Sequence, residues 1–339
     1  MSNTMSNTKR QVNFIPADRG ACGYYRMIKP AELLYDCPDV DVTISEPSVY
    51  KLPSRDILFV QRLLKENLMK EFIKYKGNTK VIVDFDDAIF GKNVKIPEYN
   101  YKSDQIDVNV ISSNMRNYLD KLADHVIVST EHLKEVVSEY IPNERITVIP
   151  NCLKYSDWYF PYKEPPRDLS FFFAGSDTHY HDKKRMRGDF SDALVNYLED
   201  KRVGVMGTKP QCLMRRYMAY PPVNMFKYAP YFYQYAGQYR FIIAPLEENE
   251  FNKSKSDLKY LESCAVGRVC LCTDFPGSPY ENAHPLQKIP FGASKEEIKD
   301  IVRVADQNYN EILKYQYKYL NGRWLDNHLI DYLNVLDKV

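Results

Sequence analysis

This 339-residue chain lacks an excess of charge of either sign: 46 lysines and arginines stand against 45 aspartates and glutamates, a formal balance of +1. Such a chain has no overall field to draw it onto nucleic acid or an anionic membrane, so contact of that kind would rest on a local basic patch. No apolar run approaches the ~20 residues that span a bilayer. The opening MSNTMSNTKR carries no apolar stretch of the sort that cores a secretory leader; it repeats MSNT and reads as a disordered tail over residues 1–10. Paired cysteine spacing is missing too. The seven cysteines lie at 22, 37, 152, 212, 264, 270 and 272, a set that argues for reduced thiols and a cytosolic setting. Cys270 and Cys272 share a strand face, but their spacing does not follow the rules for zinc. What is present is 44% hydrophobic and 14% aromatic residues, enough at this length for two domains with sizeable cores.

The stretch that organises the rest is FNKSKSDLKYLESCAVGRVCLC, from Phe251 to Cys272. It predicts a loop, a helix and a buried strand. Ser254 is a suitable N-cap with Asp257 three residues on, as in a capping box. The helix runs to about Val266, and Gly267 ends it. RVCLC is short and apolar, as in a covered parallel strand. Leu258, Leu261 and Ala265 are spaced to face a core, while Lys255, Lys259 and Glu262 fall on a neighbouring stripe. Two ammonium groups and a carboxylate above the free amides of a helix N-terminus suit a diphosphate and a sugar or ribose hydroxyl. The plain alternative is a surface helix with a solvated Lys/Glu face.

Upstream, QVNFIP (11–16) predicts a first strand. Gly20 and Gly23 permit a tight turn before a helix over Tyr25–Leu34. Phosphate or sugar can approach such a junction, which makes Gly23, Tyr25 and Arg26 candidates for an acceptor or phosphate contact. Arg26 reads equally well as a surface charge. DILFVQR (56–62) is a second strand, with a helix through Ile73 after it. KVIVDFDDAIF (80–90) sets Asp84, Asp86 and Asp87 at the carboxyl end of a buried strand, where ligands bind in open α/β sheets. Clustered carboxylates repel, which raises at least one pKa and can poise a base. Metal ligation and helix capping are the other readings. Residues 91–110 are polar and rich in Tyr, Asn and Lys, and read as a loop over the acceptor side; helix, strand and helix follow, then ITVIPNCL (146–153) as another strand.

KYSDWYFPYKEPPRD is polar and proline-bearing and reads as a linker over 153–168. FFFAG restarts the α/β pattern, and Gly175 and Ser176 form a turn that can offer amides to a phosphate. Lys183, Lys184, Arg185 and Arg187 are either a solvated basic run or a diphosphate contact, and His179 and His181 are as readily structural as catalytic. VGVMGTKP (203–210), which contains Gly207, is the next strand and loop. Tyrosines at 217, 220, 228, 231, 233, 235 and 239 can stack on sugars or bases, but their irregular spacing favours packing. RFIIAPLE leads into the central stretch, and the chain closes on a last helix, YNEILKYQYKYLNGRWLDNHLIDYLNVL.

KYLESCAVGRVCLCTD resembles the K-x-x-E-x-x-A-x-G-x-P-V segment of GT-B glycosyltransferases, especially those of family 4. There the segment follows a Pro-bearing loop, here IIAPLEENEFN, and handles the nucleotide-sugar donor. Glu262 falls on the second Glu of that family's E-x7-E motif. Ser254 stands at the first, and Val269, after Arg268, stands where Pro is common. GACGYYRMIKP is similar to the glycine–YR–proline opening of some bacterial and phage members, and KVIVDFDDAIF to their DxDD-type stretch. ADHVIVST with ITVIPNCL resembles the AD…S…VIPNG region that ends the first domain, Cys152 replacing Gly.

The resemblance implies an α/β fold of GT-B architecture: two Rossmann-like domains facing a cleft, with a C-terminal helix crossing back to the first. Its boundaries would be 11–152 for the acceptor side, 169–305 for the nucleotide-sugar domain and 306–339 for C-terminal helices packing back on the first domain. It implies transfer of a sugar from a nucleotide-sugar, UDP-sugar foremost, to a hydroxyl acceptor. Surface glycan, its lipid-linked precursor, and a hydroxymethylated base of phage DNA are the acceptor classes. DNA would need a local basic groove, such as Lys92, Lys95, Lys102 and the 183–187 run, and salt-sensitive binding. Donor contacts would come from Gly175, Ser176, Lys184, Arg185, Gly207, Ser254, Lys255, Ser256, Lys259 and Glu262. An aspartate among Asp84, Asp86 and Asp87 would take the acceptor proton in an inverting reaction. No tightly bound cofactor and no metal requirement are expected. A sugar-nucleotide epimerase of the same fold, and a non-catalytic nucleotide-sugar-binding module, are the alternatives; Ser254 at the first Glu position speaks for the module.

Overall fold

The structure, a computed structural model, describes residues 9–45, 55–62, 66–91, 108–175, 189–207, 217–220 and 224–339. Among these, one unit holds the chain up to Asn151 together with Leu325–Val339, and a second holds Cys152–Trp324.

Unit 1 alternates strand and helix: β1 (Arg10–Ile15), α1 (Ala21–Gly23), α2 (Lys29–Tyr35), β2 (Val40–Ile44), β3 (Ile57–Gln61), α3 (Glu66–Tyr75), β4 (Lys80–Phe85), α4 (Val108–Leu122), β5 (His125–Val128), α5 (Glu131–Ser138) and β6 (Ile146–Val148). The strands form a parallel sheet in the order β2-β1-β3-β4-β5-β6. β3 and β5 are buried at every position, as expected of parallel strands covered on both faces. Phe14 and Phe59, paired across β1 and β3, stack at 4.4 Å. A π-helical turn, Tyr24–Ile28, joins α1 to α2. The winding reverses between β1 and β3, which opens a crevice beyond their carboxyl ends.

Unit 2 contains α6 (Tyr155–Trp158), β7 (Ser170–Gly175), α7 (Asp192–Leu198), β8 (Arg202–Gly207), β9 (Tyr217–Tyr220), α8 (Tyr228–Ala236), β10 (Phe241–Ala244), α9 (Glu250–Lys253), α10 (Leu258–Ala265), β11 (Val269–Asp274), β12 (Lys288–Pro290), α11 (Lys295–Gln307) and α12 (Tyr309–Asn321). Its sheet, also parallel, runs β12-β11-β10-β7-β8-β9 and reverses between β7 and β10. The strands bury Phe171, Phe173, Val205, Phe241, Ile243 and Leu271 in one core with Leu194, Ile298, Val302 and Ile312 of the covering helices. α11 starts on a full capping box between Ser294 and Glu297.

The predicted last helix is broken. α12 stops at a C-cap glycine, Gly322, and stays in unit 2, with Ile312 and Leu313 in that unit's core. The return to unit 1 begins at Leu325, and α13 (Leu329–Leu336) packs on α2 with Tyr332, Val335 and Leu336 buried. Arg10–Asp337 (2.7 Å) and Lys338–Thr147 (2.9 Å) fasten this segment to unit 1. Among the described residues no helix is long and apolar enough to cross a membrane, and the six described cysteines are free thiols.

Candidate functional site

In unit 2 the crevice lies beyond the ends of β7 and β10. β7 and β8 end side by side at Gly175 and Gly207. Gly207 has φ +92°, and a Cβ there would lie 2.3 Å from the Gly175 carbonyl oxygen, so the close approach of these strand ends requires glycine. Lys259 of α10 reaches this point and donates to the Ala174 carbonyl, its ammonium 5.5 Å from the Phe173 ring centroid. Burial, helped by the Lys255 charge and opposed by Glu262, brings the Lys259 ammonium down to about 8. Lys255 lies over the Phe251 ring at 5.1 Å. Its Nζ is buried and has no hydrogen-bond partner among the described residues. A buried ammonium left in that state is costly, and an anion would complete it.

Glu262 is one turn beyond Lys259, 4% exposed, and accepts a hydrogen bond from the Tyr228 hydroxyl at 3.3 Å. The loop leading into α9 is held by Asp189, whose Oδ1 accepts from the Glu247 amide (3.0 Å) and from Asn252 Nδ2 (2.8 Å). Asn252 also donates to the Glu247 carbonyl, and the Asn249 side chain caps α9 by accepting from the Asn252 amide. Lys255 is thus carried on this braced segment between β10 and α10, and Lys259 on the first turn of α10.

Several expectations change here. Ser254 is not the N-cap of the long helix. It is the C-cap of α9, and its hydroxyl donates to the Phe251 carbonyl at 2.7 Å, buried from any ligand. The extra turn of α9 moves the helix start to Leu258, with Asp257 at the N-cap making no side-chain cap bond. The Asp257 carboxylate is instead taken by Arg323 (2.8 and 2.9 Å) and the Tyr319 hydroxyl (2.6 Å), because charge-assisted bonds outcompete an amide cap. Ser256 lies half-buried in the bend between α9 and α10. Arg268 is fully buried and donates to the carbonyls of Tyr239, Lys163, Gly267 and Gly237, so it ties loops together. The tyrosines are mostly packing: Tyr220 stacks on Tyr235 at 4.1 Å and shares a hydrogen bond with Tyr239. Ser176, Lys184, Arg185 and the rest of the 183–187 run, His179, His181, Lys92, Lys95 and Lys102 lie outside the described residues.

Unit 1 gathers its own candidates at the ends of β1, β3 and β4. Arg26 is 1% exposed and holds Asp84 through Nε (3.0 and 3.1 Å) and Nη2 (2.6 Å). Its Nη1 donates to the Ile149 carbonyl (2.6 Å) and Asn151 Oδ1 (3.2 Å). Arg26 is therefore neither a surface charge nor a ligand contact, and Asp84 is its partner rather than a base. Tyr25 is likewise buried at 3%. Gly23 is required by close packing, since a Cβ would meet the Asp18 carbonyl at 2.0 Å. The turn's amides are already taken: Asp18 Oδ1 accepts from Gly20 (2.7 Å) and Gly23 (3.3 Å), occupying the seat expected for a phosphate.

Asp86 and Asp87 meet Arg62, which the sequence marked only as the end of a strand. Arg62 adopts φ +45°, an unfavourable backbone for a non-glycine residue. From there Nε reaches Asp86 at 2.5 Å, and Nη2 reaches Asp87 at 2.8 Å and Cys22 Sγ at 2.9 Å. Burial pushes the Asp86 carboxyl up, but the Arg62 guanidinium outweighs it and holds the group below its ordinary value. Burial pushes the Cys22 thiol well up. Cys22, Asp86 and Asp87 bring ligand atoms within 4.8 Å of one another, the spacing a metal ion would need, but the guanidinium binds all three. Asp87 is the least enclosed of the aspartates, with its side chain 20% exposed.

Two parallel, doubly wound units with a C-terminal helix returned to the first match known structures across almost the whole chain. A glycosyltransferase from Rickettsia africae ESF-5 aligns with a TM-score of 0.60 at 13% identity, over 97% of this chain and 98% of that one. The chain has the GT-B fold. A second GT-B neighbour is an alpha-glucosyltransferase in complex with UDP and a 13-mer DNA containing an HMU base (TM-score 0.60, 11% identity, 98% of this chain and 99% of that one). The pneumococcal O-GlcNAc transferase GtfA, in complex with UDP and GlcNAc, aligns at 0.54 and 15% identity over 83% of this chain, which spans 57% of its length. No family model and no curated protein sequence matches the chain. In the GT-B frame, Lys255, Lys259 and Glu262 belong to the second unit's switch point, and the three aspartates to the first unit's strand ends.

Proposed function

We propose that this chain is a nucleotide-sugar-dependent glycosyltransferase whose donor pyrophosphate lies against Lys255 and Lys259 in unit 2. The observation that carries the reading is the buried Lys255 ammonium without a partner among the described residues, beside a second, half-buried lysine at the sheet's switch point. As the bond between sugar and nucleotide breaks, negative charge develops on the leaving diphosphate. Fixed cations in a dry site stabilise that charge without reorganising, usually the largest catalytic contribution. The Glu262 carboxylate accepts hydroxyls of the donor. UDP is the nucleotide this reading favours, because two of the neighbours were solved with it. The lysines supply the charge that a divalent ion would otherwise bring, so transfer is expected to persist in a chelator.

The acceptor belongs to unit 1. All three aspartates are paired with arginine, Asp84 with Arg26 and both Asp86 and Asp87 with Arg62; Asp87, whose side chain is the least enclosed of the three, is the carboxylate we assign to receive an acceptor proton in an inverting reaction. Neighbours of both kinds exist, one bound to HMU-containing DNA and one a lipopolysaccharide outer core galactosyltransferase, so a hydroxymethylated base and a surface glycan are the two acceptor classes to compare. A panel of nucleotide-sugars incubated with hydroxymethyl-base DNA or with glycan extracts tests the proposal. Slow UDP release, accelerated by one acceptor class, is the expected result. Interconversion of the sugar-nucleotide would make the protein an epimerase, and binding without turnover would make it a binding module.

A further inference from the structure

Glu262 is held from outside its own helix. Tyr228, the first residue of α8, donates its hydroxyl to Oε2 of Glu262. The Tyr228 ring is itself fixed: Trp158 of α6, 1% exposed, packs edge-on at 6.0 Å between centroids, and Phe232 lies at 5.5 Å. Burial and the Glu262 charge push the phenol well up, so the hydroxyl stays a donor throughout the neutral range. Glu262 also feels the charge of Lys259, three residues earlier on α10, whose ammonium is anchored on the Ala174 carbonyl at the end of β7. This carboxylate thus takes a side-chain hydrogen bond from an aromatic support on α8.

We propose that Tyr228 is a positioning residue, fixing the Glu262 carboxylate in the orientation that receives a pair of hydroxyls from the nucleotide-sugar. This rests on the donor reading above. A carboxylate offers about four acceptor positions, and Tyr228 uses one of them. Tyr228 is a neutral donor, so its own bond orients the carboxylate without cancelling its charge. Fixing a flexible glutamate before binding also removes its ordering cost from the binding step. The hydroxyl pair can come from the ribose or from the transferred sugar.

The test is Tyr228→Phe, which keeps the ring and its packing, measured by calorimetric titration of UDP and of a UDP-sugar. The expected result is an affinity loss of about tenfold, the scale of one hydrogen bond to a charged group. KM for the donor should rise with little change in kcat. A loss seen already with UDP, and absent with its 2′,3′-dideoxy analogue, assigns the ribose; a loss seen only with the UDP-sugar assigns the sugar. In a Glu262→Gln background the same substitution should change affinity less than about twofold, because the two residues act as one unit. Unchanged affinity for both ligands, or an equal loss in the Glu262→Gln background, overturns the proposal while leaving the lysine site intact. Failure of the unmodified protein to bind any uridine nucleotide overturns the donor reading and this inference together. Should Tyr228→Phe not fold, the UDP-bound crystal structure decides: Glu262 must keep its Tyr228 bond while contacting ligand hydroxyls, and a carboxylate turned away from Tyr228 refutes the role.

Discussion

Raising the pH through 8 should weaken donor binding through one side chain. Burial brings Lys259 down to about 8 in the ligand-free protein. At pH 7 about nine in ten Lys259 side chains therefore carry charge, and at pH 9 about one in ten. A bound diphosphate favours the ammonium and raises its pKa above the free value. Affinity is then fully present below pH 8 and falls as pH rises through it. When only the charged form binds, the Kd for UDP increases about tenfold between pH 7 and pH 9, or about 1.4 kcal/mol. The ligand's terminal phosphate loses its last proton near pH ~6 and stays ionised across this range. Calorimetry in buffers of different ionisation enthalpy should register uptake of nearly one proton per UDP at pH 9, and almost none at pH 7. Lys259→Met should bind more weakly at pH 7 and lose the pH dependence. A flat Kd profile in the unmodified protein, or the same slope in Lys259→Met, would refute the reasoning.

The same shift has a consequence for folding. Lys259 is near 8 when folded and about 10.4 when unfolded, so it costs stability below pH 8, a penalty that fades as pH rises towards 10. Lys259→Met should accordingly raise Tm at pH 7 while impairing donor binding. Lys255→Ala removes a buried ammonium without a partner among the described residues; UDP affinity should drop about tenfold with Tm unchanged or higher. Arg26→Ala strands Asp84 in the interior and should cost about 3–5 kcal/mol in urea unfolding, with no rescue by Arg26→Lys because the contact is two-pronged. Gly207→Ala should cost at least about 1–3 kcal/mol, since the new methyl meets the Gly175 carbonyl on a backbone that side chains avoid.

Local pattern carried most of the architecture. QVNFI, DILFVQ, KVIVDF, HVIV, FFFAG, VGVMG, FIIA and VCLC are apolar runs bounded by polar turns, and each is a strand of one of the two sheets. The edge strands β2, β9 and β12 were not legible: each has only three to five residues, β2 and β12 mix apolar with polar positions, and β9 is four residues at the start of a tyrosine-rich stretch. Lys259 and Glu262 were readable from helix spacing, which depends only on near neighbours. Ser254 was misread because S-x-x-D has the form of a cap, and no local signal announces the short helix α9. Arg26 with Asp84 lie 58 residues apart in the chain, and Arg62 with Asp86 lie 24 apart. Such pairs are set by strand order in the folded sheet and leave no periodicity, so three aspartates that look like a catalytic cluster are largely neutralised by two arginines. Tyr228 was one of seven similar tyrosines until the fold set it beside Glu262.

The account stands most directly on where a uridine diphosphate sits. A crystal structure with UDP should place the pyrophosphate within hydrogen-bond distance of both Lys255 Nζ and Lys259 Nζ, beyond the ends of β7 and β10. UDP bound elsewhere, or a pyrophosphate out of reach of both lysines, would contradict it.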